Sequence, residues 1–194
     1  MRTAEITRRT SETQITAKID LDGSGEYDIN TGVGFFDHML SHVAKHGLID
    51  ITLKAEGDLE IDGHHTVEDV GIVLGQALAK AVGDKRGLVR YGRGSCPMDE
   101  ALVHAYIDFG GRAYLVYELD LPTAKVGDFD TELVREFFLA LTANAGMSLH
   151  LIQQSGRNAH HILEGAFKSF ARALDEAKGL DPRKTDVPST KGML

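Results

Sequence analysis

A five-residue motif occurs twice in this chain, as His64-His65-Thr66-Val67-Glu68 and as His160-His161-Ile162-Leu163-Glu164. Each copy opens an amphipathic segment, and each follows a residue suited to N-capping, Asp62 or Asn158. A short motif that recurs at the start of a helix in two parts of a chain is typical of internal duplication. The two motifs therefore lead us to expect a fold made of two similar halves.

The segments around each motif repeat in the same order. In each half, apolar alternation predicts two strands, helical spacing predicts a helix, and a third strand then leads to the motif helix. The first two strands flank a turn at 22–25 and predict a hairpin. The predicted strands are 15–21, 26–29, 49–55, 101–107, 113–119 and 147–153, and the predicted helices are 34–45, 66–82, 131–144 and 160–178. This pattern predicts an internally duplicated α/β fold of the α+β type, with two β-β-α-β-α-like halves at 1–88 and 89–180 and a tail at 181–194.

The residue types of the motif indicate a metal site. A His and a Glu four positions apart project from one helix face, and the adjacent His points roughly 100° away, so one copy can present ligands to two ions. Imidazole and carboxylate without thiolate favour a divalent ion such as Mn²⁺ or Fe²⁺. The alternative is structural: paired histidines as polar caps, with the glutamates opposing the helix dipole.

The first helix of each half supplies a further candidate ligand. His38 precedes His64 by 26 positions, and Glu136 precedes His160 by 24, so the two residues occupy corresponding places. Four candidates in each half suffice for two ions with open coordination positions, which a catalytic metal needs. Among the other histidines, we interpret His42, His104 and His150 as ordinary structural or surface residues, and His46 shares the helix face of His38.

Composition excludes several classes of protein. The formal charge is −8, which argues against a nucleic-acid backbone binder. The single Cys96 excludes an internal disulfide and fits a reducing compartment, and no apolar run approaches a membrane span, so we expect a cytoplasmic protein with no membrane partner. The polar tail with its two prolines has little to bury, and composition alone predicts a mobile terminus.

Five segments resemble the imidazoleglycerol-phosphate dehydratase family. They lie in order along almost the whole chain, and the two His-His-x-x-Glu copies at this separation make the resemblance specific. The segments are Gly34–Leu40, Gly63–Gly71, Pro97–Leu102, His160–Lys168 and Pro188–Gly192.

The resemblance implies a fold and a set of site residues. Each half is expected to pack a four-stranded mixed sheet on two helices, and the chain to form a homo-oligomeric shell of 24 subunits with two Mn²⁺ in each active site at subunit interfaces. The implied metal ligands are His38, His64, His65, Glu68, His160, His161 and Glu164, with Glu136 at a position where the family often has a histidine. The implied substrate contacts are Glu12, His46, Arg90, Arg112, Lys168, Ser189, Thr190 and Lys191, so that the tail becomes a loop closing over phosphate.

The resemblance also implies a reaction. A hydro-lyase of histidine biosynthesis would remove water from D-erythro-imidazole-glycerol phosphate to give imidazole-acetol phosphate. We expect two Mn²⁺ to stabilise an imidazolate and a diazafulvene-like intermediate, with Glu12, Glu68 or Glu164 handling protons. Residue chemistry leaves two alternatives open: a dinuclear metallohydrolase, and a non-enzymatic shell whose metals only join subunits.

Overall fold

A computed structural model describes residues 2–194 as a mixed α+β fold in which the same element order occurs twice. The first half contains β1 (Thr3–Arg9), β2 (Thr13–Asp20), β3 (Tyr27–Asn30), α1 (Gly34–Gly47), β4 (Asp50–Gly57) and α2 (His64–Val82). The second contains β5 (Tyr91–Met98), β6 (Ala101–Asp108), β7 (Tyr114–Glu118), the short β8 (Lys125–Val126) and β9 (Phe129–Asp130), α3 (Leu133–Ala145), β10 (Ser148–Ser155) and α4 (Ala159–Lys178).

Each half has its own four-stranded mixed sheet. The strand orders are β1-β2-β4-β3 and β5-β6-β10-β7, and in each sheet only the last pair is parallel. The predicted hairpin between 15–21 and 26–29 is therefore wrong, because β2 pairs with β1 and β4. The turn after β2 is instead attached to β4: the Asp50 carboxylate accepts hydrogen bonds from the backbone N–H groups of Ser24, Gly25 and Glu26 at 2.8–2.9 Å. This anchor leaves β3 to join the sheet parallel to β4.

Pattern analysis missed the first strand of each half. Along β1 only Ala4 is buried, because β1 is an edge strand, so no clear apolar alternation appears in the sequence. In β5 the buried positions are Gly92 and Gly94, where α4 lies so close that a side chain would collide with its backbone. A strand whose inward residues are glycines does not show the period that predicts strands. The β8–β9 pair was also missed.

The four helices lie between the two sheets. α2 packs on β1 and β2 and against α3, while α4 packs on β5 and β6 and against α1. A Cβ added at Gly71 would lie 2.7 Å from the Phe137 carbonyl oxygen, so the close approach of α2 and α3 requires glycine there. One apolar cluster runs through both halves, from Ile15 and Phe36 to Phe137 and Phe170. The pairing across halves (α1 with α4, α2 with α3) brings residues of both halves to one site.

Strand register shows which residues of the two halves correspond. β2 and β6 begin and end 88 positions apart, and Ile15 pairs with Ala55 as Val103 pairs with Gln153. Positions in β2 and β6 are therefore related by an offset of 88, and positions in β4 and β10 by 98 as far as Gln153, after which a β-bulge in β10 raises the offset to 99. The same offset of 98 relates Leu48 and Gly146, the left-handed residues that end α1 and α3, so it also relates His38 to Glu136.

Within residues 2–194, the structure contains no helix with the length and apolar character of a membrane span. The predicted boundaries at 88/89 and 180/181 stay predictions.

Candidate metal centre and anion pocket

The motif histidines are presented by the first turns of α2 and α4. Asn158 caps α4, and its side-chain oxygen accepts hydrogen bonds from the backbone N–H groups of His160 and His161. At α2 the cap position is Gly63, but the Asp62 carboxylate accepts the His64 N–H at 2.7 Å. Both predicted capping residues therefore hold the backbone from which the histidines project.

Three predicted ligands from the two halves converge. His38 on α1 places its Nε2 atom 3.3 Å from Oε2 of Glu164, and His160 Nε2 lies 3.1 Å from the same oxygen. One donor atom from each of these residues lies within 4.8 Å of the others. Two imidazoles and a carboxylate at this spacing fit a first-row divalent ion.

His42, which the sequence analysis interpreted as ordinary, lies in this cluster. Its Nε2 atom is 3.5 Å from Oε1 of Glu164 and 3.4 Å from Nε2 of His38. Burial lowers the pKa of His42 to about 4, so its ring is neutral at physiological pH. The signal for its position was the i, i+4 spacing from His38, which was available in the sequence.

Glu164 is the buried centre of this cluster. Lys168, one helical turn further along α4, donates a hydrogen bond to Oε1 at 2.5 Å. Burial alone would raise the pKa of Glu164, but the hydrogen bond from Lys168 and the nearby imidazoles outweigh it and hold the pKa at about 2. Glu164 is thus an anion at neutral pH and suited to a cation.

The motif of the first half is more open. His64 Nε2 lies 4.0 Å from Oε2 of Glu68, and both side chains are half-exposed. His65 donates from Nδ1 to the Asp58 carboxylate at 2.9 Å, and the Glu12 carboxylate lies 3.9 Å from the same nitrogen. Neither Asp58 nor its contact with His65 was predicted.

The remaining candidates lie apart from the three-residue cluster. His161 points its Nδ1 atom at Glu100, and Glu136 on α3 contacts the neighbouring Arg135 at 3.2 Å. The His46 ring stacks on His42 with centroids 5.6 Å apart, and burial lowers the pKa of His46. Of the other histidines, His104 bonds to Ser95 across neighbouring strands, as befits a strand residue with a structural contact.

The tail and the start of β5 line an open cavity of about 780 Å³, apart from the three-residue cluster. Five of the implied substrate contacts line it: Arg90, Arg112, Ser189, Thr190 and Lys191. The Arg90 guanidinium has partners within the chain: it donates hydrogen bonds to both Asp108 carboxylate oxygens and to the Pro188 carbonyl at 2.7 Å. Lys168, which was expected to join these residues, is not among those lining the cavity and lies with Glu164.

Comparison with known proteins assigns the fold and its two motifs to one family. The imidazoleglycerol-phosphate dehydratase family model matches residues 31–174. The chain is 63% identical to the imidazoleglycerol-phosphate dehydratase of Dinoroseobacter shibae and 61% identical to that of Cereibacter sphaeroides strain KD131, with 100% of both chains covered in each case.

Two solved structures share the fold. The crystal structure of imidazoleglycerol-phosphate dehydratase from Staphylococcus aureus superposes with a TM-score of 0.83 at 41% identity, covering 92% of this chain and 98% of that one. The enzyme from Pyrococcus furiosus, in complex with (S)-C348, gives a TM-score of 0.85 at 34% identity, covering 97% and 100%. The chain belongs to the imidazoleglycerol-phosphate dehydratase family, whose members are hydro-lyases.

Proposed function

We propose that this chain converts D-erythro-imidazole-glycerol phosphate to imidazole-acetol phosphate in histidine biosynthesis, in the cytoplasm. The observation that carries the proposal is the convergence of His38, His160 and Glu164 from the two halves. In a member of this family, a divalent-metal cluster of that composition fits a substrate whose reacting end is itself an imidazole.

The donor set fits Mn²⁺. His38, His160 and Glu164 would hold one ion, since nitrogen and oxygen donors without thiolate suit it and the carboxylate is anionic at neutral pH. His64, His65, Glu68, His161 and Glu136 are the proposed remaining ligands. When bound, two ions would supply positive charge to the substrate imidazole.

The open first-half motif fits a site completed by other subunits. His64 and Glu68 are half-exposed and lie outside the three-residue cluster within the described part of the chain. Contact with neighbouring copies would bring such accessible donors to a partly built cluster. We therefore propose a 24-subunit shell with active sites at the subunit interfaces.

The tail cavity is the proposed site for the substrate phosphate. Arg90 positions the tail through Pro188, which leaves Arg112 and Lys191 as the cations of this cavity with no ion pair among residues 2–194. Ser189 and Thr190 add hydroxyl donors. Binding at this end would fix the orientation of the reacting carbons.

Of the three carboxylates proposed to handle protons, Glu12 is the best placed to accept one. Both Glu164 oxygens are engaged, one by Lys168 and the other by His38 and His160, and Glu68 is a proposed metal ligand. The Glu12 carboxylate is half-exposed, and its nearest ionic neighbour is His65 at 3.9 Å. A carboxylate with unoccupied lone pairs can act as a general base.

The test is a direct assay of the purified full chain with Mn²⁺ and imidazole-glycerol phosphate. We expect enol absorbance of imidazole-acetol phosphate to develop without release of inorganic phosphate. Phosphate release without the enol would indicate a metallohydrolase instead. Absence of both products, with metal bound, would indicate a metal that only joins subunits.

A further inference from the structure

The second histidine of each motif is held through its Nδ1 atom by a carboxylate. His161 donates to Oε2 of Glu100 at 2.7 Å, and His65 donates to Oδ2 of Asp58 at 2.9 Å. An ionised carboxylate only accepts hydrogen bonds, so each contact requires a proton on Nδ1. In the neutral ring the Nε2 atom then keeps its lone pair, which is the form that binds a metal ion.

Glu100 is itself fixed in place from several sides. It follows Asp99, a residue in the left-handed region (φ 48°), in the two-residue turn between β5 and β6. Its Oε1 atom accepts the backbone N–H groups of Arg157 and Asn158 at 3.0 and 2.8 Å. The His161 hydrogen bond, followed by these two, lowers the pKa of Glu100 to about 2. Glu100 thus connects the turn, the loop before α4 and the His161 ring.

The Asp58 carboxylate makes fewer contacts that stabilise the fold than the Glu100 carboxylate does. Its Oδ2 atom contacts His65, whereas its Oδ1 atom is buried and has no hydrogen-bond partner among residues 2–194. Burying an unpaired acceptor costs free energy, so a purely structural role would not favour aspartate here. The contact that Asp58 does make is the one with His65.

The two carboxylates do not correspond to each other in the duplication. With the offset of 88 between β2 and β6, Glu100 corresponds to Glu12. Beyond the β-bulge of β10 the offset between β4 and β10 is 99, so Asp58 corresponds to Arg157. An arginine side chain carries only hydrogen-bond donors, so it cannot accept a hydrogen bond from Nδ1 of His161. In the second half the histidine is held from the hairpin turn instead.

We propose that Glu100 and Asp58 are positioning residues that fix the Nδ1-protonated tautomer of His161 and His65, and that Asp58 thereby leaves Glu12 free for the substrate. This inference rests on the proposed function only for the role of Glu12. In the second half the hairpin glutamate holds the ring. In the first half Asp58 holds the His65 ring, and the Glu12 carboxylate lies 3.9 Å from Nδ1 of His65. Carboxylates that orient ligating histidines in this way typically change metal affinity about 10- to 100-fold when replaced.

The decisive measurement is the tautomer of each ring. Full-length, metal-free protein with ¹⁵N-labelled histidine rings would be studied by solid-state NMR, which does not depend on the size of the assembly. The signals are assigned by their loss in His161→Ala and His65→Ala. In the parent protein at pH 8 we expect both rings to carry the proton on Nδ1.

Glu100→Gln tests the second half. The glutamine oxygen can still accept from Arg157 and Asn158, while its NH₂ group faces Nδ1 of His161 and requires a lone pair there. We expect the His161 proton to move to Nε2, and the apparent Mn²⁺ dissociation constant to rise about 10- to 100-fold. Asp58→Asn should do the same for His65 alone.

Glu176→Gln is the matched control, because the Glu176 carboxylate also accepts a backbone N–H, that of Arg93 at 2.8 Å, and contacts no histidine within residues 2–194. It should leave both tautomers and Mn²⁺ affinity unchanged. The proposal is overturned if His161 in Glu100→Gln and His65 in Asp58→Asn keep the parent tautomer. A tautomer change in a chain without dehydratase activity would instead refute the proposed function and uphold the positioning role.

Discussion

The two histidine motifs have the same residue pattern but different surroundings. The Glu164 side chain is 8% exposed and contacts His160, His38 and Lys168, whereas the Glu68 side chain is 47% exposed and lies 4.0 Å from His64. The place that corresponds to Lys168, four residues after the motif glutamate, is occupied by Ile72 in the first half. The second motif is therefore built into the chain, and the first is open.

This difference shows that a duplicated motif does not produce a duplicated site. α1 packs against α4, so the second motif receives His38 from the other half, whereas α3 packs against α2 with Glu136 directed to Arg135. The second motif is preassembled by contacts within one chain. The first motif has no such cluster within residues 2–194, which agrees with the proposed completion of the site by other subunits.

Metal removal has the largest expected effect and tests whether both motifs serve one function. We expect a chelator to abolish turnover and to loosen the assembly, because the open motif has few protein contacts to replace the ion. Added Mn²⁺ should restore both. Activity and sedimentation coefficient, measured on the same samples, provide the check; full activity in metal-free protein would contradict the proposed site.

Replacing the motif glutamates one at a time compares the halves directly. Glu164→Gln and Glu68→Gln should each lower turnover more than about 100-fold, since even changes behind a metal ligand cost about 10- to 100-fold. Only Glu164→Gln should destabilise metal-free protein, by about 1–3 kcal/mol, because it removes the anionic partner of Lys168. Denaturant unfolding of the metal-free variants measures the difference.

Equal stability of these two variants would show that the buried Glu164 contributes no more to the fold than the half-exposed Glu68. Full Mn²⁺ content and normal turnover in Glu164→Gln would remove Glu164 from the metal site. The two readouts are independent, so the structural comparison and the proposed ligand set can fail separately.

Much of the fold could be predicted from local sequence patterns. The helices and the inner strands have clear apolar periods, and the repeated motif marked the duplication. The order of strands did not follow, because the position of β3 depends on Asp50 holding a turn 25 residues away in sequence. β5 could not be predicted from apolar alternation, because α4 packs so closely on it that its inward-facing positions are glycines.

The site was less accessible from sequence than the fold. The motif predicted histidines and glutamates as ligands, yet His42 joins the cluster only because α1 lies against α4. Asp58 and Glu100 are acidic residues in loops, and although Glu100 lies in the Pro97–Leu102 segment of the resemblance, no local spacing links either carboxylate to a histidine. Their contacts with His65 and His161 arise from chain segments that meet only in the folded protein.

Arg90 and Arg2 extend the comparison of the halves to the phosphate end. Each precedes the first strand of its half, bonds to an aspartate (Asp108 or Asp22) and donates Nη1 to a backbone carbonyl, that of Pro188 or Lys178. Arg90→Ala should raise KM about 10- to 100-fold, because charged hydrogen bonds of about 1.5–3 kcal/mol hold the tail that is proposed to bind phosphate. Arg2→Ala should lower the free energy of unfolding by about 1 kcal/mol without changing KM. Steady-state kinetics and thermal unfolding of both variants test this, and a parallel rise in KM for Arg2→Ala would indicate a general loss of structure.

Lys191→Ala is expected to have the smallest effect, because Lys191 is a single exposed point charge within a cavity that Arg112 shares. We expect KM to rise about 3- to 10-fold with turnover unchanged, since an exposed charge contact contributes about 1 kcal/mol or less and its loss removes ground-state and transition-state binding alike. The effect should diminish as ionic strength rises, because salt screens an exposed contact. Lys18→Ala, an exposed lysine of the first-half sheet that does not line the cavity, is the control and should leave KM unchanged at every salt concentration. An unchanged KM in Lys191→Ala at low salt would show that the tail closes the cavity without contacting the phosphate through this residue, and would leave Arg112 as its principal cation.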